Sequence, residues 1–317
     1  MVNAPNISII ICTYNRAGIF SETLASFAQM DFTNVGKFEL VIVNNNSNDN
    51  TAEIATSFCT DHPYARYLFE ERPGLSHARN KGILESRGQV IVFIDDDVFL
   101  DANWLNAVAR VFADQPCAAA FGGKSIPQFE SGRPPWLEEP MYCIYGDTGL
   151  GDDPCWMEFP NIPFGLNMGF RREVFDQIGL FNPKLGRIKG SLLSNEELDI
   201  FWRIAQAGLR VYYAPDALLF HRIPANRVDP NWVIERYYWQ GVSDVVFEQS
   251  IHPHARTTLL AQGIRSVWTA LHAMRGGHIS PRRIRWHYQG IPVAHAADFW
   301  RKLGAGWQQI KTAIDPR

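Results

Sequence analysis

The stretch that decides the fold is VIVFIDDDVFL, residues 90–100, in which five apolar residues lead into Asp95, Asp96 and Asp97. An uninterrupted Val/Ile run is typical of a strand that is buried on both faces of a sheet. Three adjacent carboxylates repel one another, and partial burial makes each charge costlier. The stretch therefore predicts a buried strand that ends in a site stabilised by a divalent cation.

Apolar strands and helices alternate through the residues that precede this stretch. The alternation predicts an α/β fold, with a Rossmann-like, mostly parallel sheet covered by helices on both faces. Ligands of such sheets bind beyond the carboxyl ends of the strands, which is where the acid triplet lies. The predicted strands are 7–15, 38–44, 64–71 and 89–94, and the predicted helices start at Ser21 as N-cap, at Thr51 and near residue 75.

The composition is that of an ordinary globular protein. The chain has 317 residues, of which 46% are hydrophobic and 20% charged. No stretch reaches the roughly 18 uncharged apolar residues of a membrane-spanning helix, and the start does not resemble a signal peptide, which favours a cytoplasmic location. Five cysteines without metal-type spacing predict reduced, structural thiols.

Residues 251–317 form a different kind of surface. They contain ten Lys or Arg side chains against two acidic ones, and no nucleic-acid motif accompanies this charge. Two hypotheses stay open: a helix that docks onto the catalytic core, or an interfacial helix that lays the protein on an anionic membrane, at the inner face of the cell membrane. The apolar stripe of this helix comprises Leu259, Leu260, Ile264, Val267, Trp268, Leu271 and Met274, and the second hypothesis adds the basic segment RRIRWHY with Trp286, Trp300 and Trp307.

Six segments, in order and at matching spacing, carry a resemblance to family 2 glycosyltransferases, which use nucleotide-diphosphosugars and have the GT-A fold. They are IIICTYNRAGIF, VIVNNNSNDNT, PGLSHARNKGI, FIDDDVFLDANWL, NMGFRREVFDQIGLF and SNEELDIFWRIAQAGLRVYYAPDALLFH. The resemblance covers about residues 6–240. It implies a catalytic domain over 1–240, with a nucleotide-binding half (about 1–100) and an acceptor-binding half (about 101–240), followed by a helical extension over 241–317.

The resemblance implies which residues hold the nucleotide. The residues after the first strand would contact the nucleobase and ribose, unless they only form a capped turn. Where the family usually has an Asp that accepts from uracil N3–H, this chain has Asn44, whose amide oxygen also accepts but carries no charge. Uracil is favoured. The implied nucleotide-binding residues are Thr13, Tyr14, Asn15, Arg16, Asn44, Arg79, Asp95 and Asp96, with Arg79 either touching the base or orienting the triplet.

The resemblance also implies a metal site for Mn²⁺ or Mg²⁺. Asp97 would be the first ligand, Asp96 a ribose contact and Asp95 a supporting charge, while His221 would be a further ligand or a pyrophosphate contact. The ion would neutralise charge on the leaving diphosphate. Two cations that follow His221, Arg222 and Arg227, would close over the diphosphate.

The base that deprotonates the acceptor falls in SNEELDIFWR. Alignment with the family's Glu-Asp pair places Glu197 on the basic Asp, with Glu196 as the alternative. Helix capping by Ser194 or Asn195, with both glutamates in the first turn, is the competing interpretation. Residues implied near the donor sugar or acceptor are Gly165, Asn167 and Trp136, the last of which also suits simple packing.

These assignments predict a metal-dependent, inverting glycosyltransferase. It would move a sugar from a nucleotide-sugar donor, with a UDP-sugar favoured, to a hydroxyl of a glycan or lipid-linked glycan in cell-surface polysaccharide or glycolipid synthesis. A nucleotidyltransferase, or an inactive module that binds sugar nucleotides or glycans, is the alternative. The oligomeric state is left open.

Overall fold

The computed structural model describes residues 7–188, 190–275 and 293–315, and the predicted basic segment around Trp286 lies outside them. The chain forms two compact units. The first comprises the described residues of Met1–Gln128, Tyr145–Pro183 and Glu196–Arg222, and the second those of Phe129–Ile144, Lys184–Asn195 and Ile223–Arg317. The acid triplet, both glutamates and His221 all belong to the first unit.

Four parallel strands form one half of a central sheet in the first unit. They are β1 (Ile7–Thr13), β2 (Phe38–Asn44), β3 (Ala65–Phe69) and β4 (Val90–Ile94), in the spatial order β3-β2-β1-β4. Every residue of β4 is buried, as a continuous Val/Ile run requires when helices cover both faces of a sheet. The predicted α/β class is confirmed.

Helices connect these strands and supply the two apolar layers. Side chains alternate along β1, so Ile9 and Ile11 pack in one buried cluster with Phe20, whereas Ile10 packs in a second. The helix over the second layer approaches β1 closely, because a Cβ at Gly82 would lie 2.6 Å from Ile10 Cγ2. The three connecting helices are α1 (Ala17–Ala28), α2 (Thr51–Asp61) and α3 (Leu75–Glu85).

Beyond β4 the sheet becomes antiparallel. Strand β8 (Asn167–Arg171) pairs antiparallel with β4 and β6, and β9 (Arg210–Ile223) pairs antiparallel with β5 and β7. The sheet is therefore mixed, and the predicted parallel arrangement holds for β1 to β4 only. The remaining elements of this half are β5 (Val98–Leu100), β6 (Ala118–Phe129), β7 (Cys155–Met157), α4 (Trp104–Asp114), α5 (Arg172–Ile178) and α6 (Glu196–Gln206).

The first helix begins earlier than the sequence predicts. It starts at Ala17, and Ser21 lies inside it, where its hydroxyl donates to the Gly18 carbonyl instead of capping the helix. The first N–H groups are satisfied from the loop after β2: Ala17 N–H donates to Asp49 Oδ2 at 3.1 Å. A cap supplied by a distant loop gives no local signal, so the N-cap prediction at Ser21 was wrong.

The second unit is mainly helical, which confirms the predicted helical C-terminal region. Its long helices are α7 (Pro230–Ile251), α8 (Arg256–Arg275) and α9 (Val293–Ile314). Helix α9 packs against both α7 and α8. Glycines permit these close crossings, because a Cβ at Gly304 would collide with the Tyr238 carbonyl oxygen and one at Gly263 would lie 2.9 Å from the Gly306 carbonyl oxygen. The domain boundary predicted at residue 240 falls inside helix α7, which is continuous there.

The apolar stripe of α8 divides into two faces. Leu259, Gly263 and Ala270 are buried. Large apolar side chains on the other face are exposed, at 39% for Leu260, 57% for Ile264, 57% for Trp268 and 50% for Leu271. No helix in the described part of the chain is both long enough and apolar enough to span a membrane.

Candidate functional site

The loops after β1 and β2 are joined to each other at the carboxyl edge of the sheet. The Asn15 N–H donates to Ser47 Oγ at 2.9 Å, and the Asn15 carboxamide oxygen accepts from the Asn48 N–H at 2.7 Å. Both turns use left-handed backbone, with φ of 52° at Asn15 and 61° at Asn46, a conformation that Asn tolerates. These hydrogen bonds and turns fix the two loops together.

Asn44, at the end of β2, is 1% exposed and already takes part in two hydrogen bonds. Its amide nitrogen donates to Tyr67 Oη at 3.0 Å, and its oxygen accepts from the Ser47 N–H at 3.0 Å. An amide offers two N–H groups and two lone pairs, so each side of the group retains capacity for one more bond. Among the other predicted nucleotide contacts, Thr13 is buried, whereas Tyr14 and Arg16 are partly exposed.

The acid triplet follows β4 and is held by the first helix. Thr23 Oγ1 donates to the Asp96 carbonyl oxygen at 2.9 Å and accepts from the Val98 N–H at 3.2 Å. Asp96 and Asp97 are 8% and 4% exposed. Arg16 contacts both, with Nε 4.0 Å from Asp96 Oδ1 and Nη2 3.8 Å from Asp97 Oδ2. Burial, followed by the charge of Asp97, raises the pKa of Asp96 to about 7, although Arg16 opposes the shift.

His221 is brought to Asp97 by the pairing of β9 with β5, in which His221 lies opposite Val98. Its Nε2 is 3.3 Å from Asp97 Oδ1. Its Nδ1 is 2.6 Å from the Tyr145 carbonyl oxygen, and because a carbonyl only accepts, Nδ1 carries a proton. When the ring is neutral, Nε2 has a lone pair that points toward the Asp97 carboxylate. A nitrogen lone pair and a carboxylate oxygen that face each other can both coordinate one cation.

The two cations predicted for the diphosphate lie in different surroundings. Side chains alternate along a strand, so Arg222 points away from the face that carries His221, and its Nη1 contacts Glu22 Oε1 of α1 at 2.7 Å. Arg227 lies in a short 3-10 helix (Ala225–Val228) of the second unit. Trp136, predicted for the donor sugar, also belongs to the second unit and is partly buried.

Helix α6 begins at Glu196, directly after Asn195, whose φ is 74°. The carboxamide of Asn195 bonds to α7: Nδ2 donates to Asp244 Oδ1 at 3.0 Å, and the oxygen accepts from Gln240 Nε2 at 2.9 Å. The Ser194 hydroxyl likewise contacts Gln240, at 3.3 Å. The capping interpretation is therefore not supported by the hydrogen bonds that these side chains make.

Arg79 is the partner of Glu196. The residue is 2% exposed, and its Nη1 donates to Oε1 of Glu196 at 3.0 Å, while Nη2 lies 3.9 Å from Asp95 Oδ1. Glu197 is less buried than Glu196. Oε2 of each glutamate is buried and accepts no hydrogen bond from the residues that the structure describes. Burial, followed by the charge of Glu197, raises the pKa of Glu196 to about 8, although Arg79 opposes the shift.

The other two residues predicted near the donor sugar, Asn167 and Gly165, contact protein groups. Both N–H groups of the Asn167 amide donate to carbonyl oxygens, of Lys124 at 3.0 Å and Ala217 at 2.8 Å, and its oxygen accepts from Trp104 Nε1 at 3.1 Å. Gly165 lies against the glutamate cluster, because an added Cβ would be 2.5 Å from Arg79 Nη2 and 3.2 Å from Glu197 Oε1.

Some residues of the site are not indicated by the sequence reasoning. Thr23 holds the acid triplet through its hydroxyl, and Tyr145 orients His221 through a backbone carbonyl. Tyr67 bonds to Asn44 from the neighbouring strand. A carbonyl contact leaves no residue-type signal, but the pairing of β2 with β3 would have placed Tyr67 near Asn44.

The fold is shared with solved glycosyltransferases. A mannosyltransferase from Pyrobaculum calidifontis, solved with GDP-Man and Mn²⁺, matches with a TM-score of 0.57 and 20% identity, over 99% of this chain and 74% of that one. GalNAc-T7, solved with UDP, GalNAc and Mn²⁺, matches with a TM-score of 0.53 and 17% identity, over 77% of this chain and 51% of that one. The fold is thus that of the GT-A glycosyltransferases.

The sequence comparisons specify the family. The profile described as Glycosyl transferase family 2 matches residues 8–179. Glycosyltransferase AglE of Haloferax volcanii is 35% identical over 220 residues, covering 68% of this chain and 67% of that protein. The Glucosyl-dolichyl phosphate glucuronosyltransferase of the same organism is 28% identical over 254 residues, covering 78% and 79%. The chain belongs to glycosyltransferase family 2 and is a glycosyltransferase.

Proposed function

We propose that this glycosyltransferase is metal-dependent and inverting, and that it transfers a sugar from a nucleoside diphosphate sugar to an acceptor hydroxyl. The observation that carries the proposal is the approach of His221 Nε2 to Asp97 Oδ1 at 3.3 Å, in the unit that also contains Glu196 and Glu197. The predicted family chemistry needs a cation site and a separate proton acceptor, and these two groups of residues supply them.

Asp97 and His221 fit a divalent cation by the chemistry of their donor atoms. A carboxylate oxygen and an imidazole nitrogen are acceptable to Mn²⁺, and Mg²⁺-class ions at nucleotide sites commonly keep one or two protein ligands. No group of three His, Cys, Asp or Glu side chains that could hold an ion occurs in residues 7–188, 190–275 and 293–315. When bound, Mn²⁺ or Mg²⁺ would stabilise the charge on the departing nucleoside diphosphate.

We assign the nucleotide to the joined loops after β1 and β2. Tyr14 and Arg16 offer an aromatic face and a cation, and the spare hydrogen-bonding capacity of Asn44 suits the edge of a base. A UDP-sugar is the proposed donor, although one neighbour of similar fold was solved with GDP-Man and another with UDP. The roles of Arg227 at the diphosphate and of Trp136 at the sugar stay predictions.

Glu197 is the proposed base. Glu196 is committed to Arg79 at 3.0 Å and is 3% exposed, whereas Glu197 is partly exposed and its Oε2 lacks a hydrogen-bond partner among the described residues. A single base opposite the leaving group suits direct displacement, in which the acceptor oxygen loses its proton to Glu197 as it bonds to the anomeric carbon. The configuration of that carbon is then inverted.

The proposed acceptor is a lipid-linked glycan, which the protein would bind at an anionic membrane surface. One relative is named for action on a dolichyl phosphate-linked sugar. The exposed face of α8, defined by Leu260, Ile264, Trp268 and Leu271, offers apolar area, and Arg256 and Arg265 on the same helix are also exposed. Helix α8 contains no Asp or Glu, so its charge complements anionic lipid. A role in polysaccharide or glycolipid synthesis follows from this acceptor.

The experiment that tests the proposal is incubation of the full chain with a panel of UDP-sugars and GDP-sugars, with and without Mn²⁺ or Mg²⁺, while released nucleoside diphosphate is measured. Slow, metal-dependent release is expected, with water as the acceptor. A nucleotidyltransferase would instead release pyrophosphate from a nucleoside triphosphate and sugar phosphate, and an inactive module would bind a nucleotide sugar without cleaving it. Either result would contradict the proposal.

A further inference from the structure

Arg79 is a buried cation that joins separate parts of the candidate site. Its guanidinium lies beside the rings of Phe93 and Phe181, 5.6 and 5.3 Å from their centroids. Besides its bond to Glu196, Nη2 donates to the Gly165 carbonyl oxygen at 3.3 Å. With two aromatic rings beside it and donors directed at two different oxygens, the plane of the group is fixed.

We propose that Arg79 is a positioning residue that fixes Glu196, and that Glu196 in turn holds Glu197 in the orientation required for removing the acceptor proton. The inference rests on the proposed function, in which Glu197 is the base. It separates two adjacent glutamates by role: Glu196 is bonded to the buried guanidinium, and Glu197, which is less buried, is the proton acceptor.

Gly165 completes this arrangement by its lack of a side chain. A Cβ there would lie 2.5 Å from Arg79 Nη2 and 3.2 Å from Glu197 Oε1, so any larger residue must displace one of the two charged groups. Substitution of Gly165 can therefore test the arrangement without altering any charge.

The balance of charges explains why Glu196 needs a rigid partner. The charged groups that face Glu196 are Arg79 and Glu197, and Asp95 and the thiol of Cys12 face the same guanidinium. The Cys12 thiol is neutral, because burial raises its pKa to about 12. One guanidinium cannot neutralise three carboxylates, so a proton on Glu196 relieves the excess. The side chains of Glu196 and Glu197 share a hydrogen bond, and this proton supplies its donor.

Lysine at position 79 keeps the positive charge but lacks the planar pair of Nη donors that a guanidinium has. A single ammonium cannot hold Glu196 and the Gly165 carbonyl in the same fixed geometry. We expect Arg79→Lys to lower kcat for nucleoside diphosphate release by about 100-fold, as misplacement of a reacting group by an ångström does, with little change in KM for the donor. The donor is the sugar nucleotide of the panel that reacts fastest with Mn²⁺.

Glutamine at position 196 tests the second step. Its amide can accept from Arg79 and donate to Glu197 at every pH, so Glu196→Gln should stay within about tenfold of the parent kcat and flatten the pH profile near pH 8. Glu196→Ala removes both bonds and should lower kcat about as much as R79K. If Arg79 acts through Glu196, the double variant R79K/E196A should then have a kcat close to that of R79K. Gly165→Ala should lower kcat about as much as R79K.

The matched control is Arg203→Lys. Arg203 also pairs with an acid on α6, Asp199 at 2.6 Å, and binds the Leu180 carbonyl at 2.9 Å, but it makes none of the contacts of Arg79. R203K should lower the Tm and leave the pH profile of kcat unchanged.

Three outcomes would overturn the inference: a parent-like kcat in R79K, additive losses in R79K/E196A, or a kcat in R203K that falls as far as that of R79K. Failure of the proposed function is distinguishable, because Glu197→Gln would then retain full kcat. If Glu197 is the base, that variant loses roughly 10²- to 10⁴-fold.

Discussion

Asp97 and His221 lie 3.3 Å apart because β9 pairs with the short strand that follows the acid triplet, with His221 opposite Val98. The Tyr145 carbonyl fixes the imidazole from behind at 2.6 Å. The sequence separates these two side chains widely, and one antiparallel pairing brings them together. Their shared position makes a direct prediction about metal binding.

Replacing either member of this pair should weaken Mn²⁺ binding. In Asp97→Asn and in His221→Ala, we expect the affinity for Mn²⁺, titrated in the presence of UDP or GDP, to fall at least about tenfold, or about 1.4 kcal/mol. Electron paramagnetic resonance of free Mn²⁺ measures the loss. Asp216→Asn is the control, because that side chain is 77% exposed and pairs with Arg110 instead. Parent-like Mn²⁺ affinity in both site variants would contradict the assignment.

Asn44→Asp should sharpen the preference for uridine nucleotides. A carboxylate can still accept from the Ser47 N–H, and Tyr67 can turn its hydroxyl to donate, so the substitution is compatible with the fold. A hydrogen bond from uracil N3–H to a charged acceptor is worth about 1.5–3 kcal/mol, whereas cytosine N3 only accepts, so we expect UDP to bind about tenfold tighter or more, relative to CDP.

Isothermal titration with Mn²⁺ present measures both nucleotides. Asn46→Asp, on the exposed part of the same turn, adds the same charge and serves as the control. Equal gains for UDP and CDP, or equal gains in both variants, would show that Asn44 does not contact the edge of the base.

Glu196→Gln should stabilise the ligand-free protein most at alkaline pH. The pKa of Glu196 is raised from 4.5 to about 8, so its folded form holds a proton that the unfolded chain releases. The free energy of unfolding therefore falls as pH rises through this window, and it levels off above pH 8. The Tm difference between E196Q and the parent should be small near pH 4.5 and should grow until about pH 8. A difference that does not depend on pH would contradict the assignment.

The exposed face of α8 should determine membrane binding. We expect Ile264→Asn/Trp268→Asn to reduce sedimentation with phosphatidylglycerol vesicles by about tenfold or more, because both large apolar side chains would leave the lipid interface. Binding of the parent should also weaken as salt is raised.

Leu84→Asn is the control for a general loss of surface apolarity, since Leu84 is 70% exposed and lies in α3 of the first unit. Equal loss in this control, or no binding of the parent, would contradict a membrane role for α8.

The parallel half of the sheet could be predicted because its signals are local. Strands β1, β2 and β4 are mainly apolar runs, helices follow β1 and β2, and acids follow β4. The antiparallel half depends on pairings between distant segments, two of them through strands of only three residues, β5 and β7. Such short strands have no periodicity to detect.

The role of a polar residue could be predicted only as far as its type allowed. Arg79 was assigned to the nucleotide or to the triplet, and its strongest contact is with Glu196, 117 residues away in sequence. Asn167 has the chemistry for a sugar hydroxyl, yet backbone carbonyls occupy both its N–H groups. In both cases the competing partner lies on another element, and no local pattern reveals it.

The joined loops after β1 and β2 have an entropic consequence for ligand binding. Asn15, Ser47 and Asn48 hold the two turns together without any help from a nucleotide. A ligand that binds at these loops does not have to order the backbone around it. Little of its binding free energy is therefore spent on the entropy cost of ordering the loops. If the nucleotide binds at these loops as proposed, selection among bases depends on how well the already joined turns match the base.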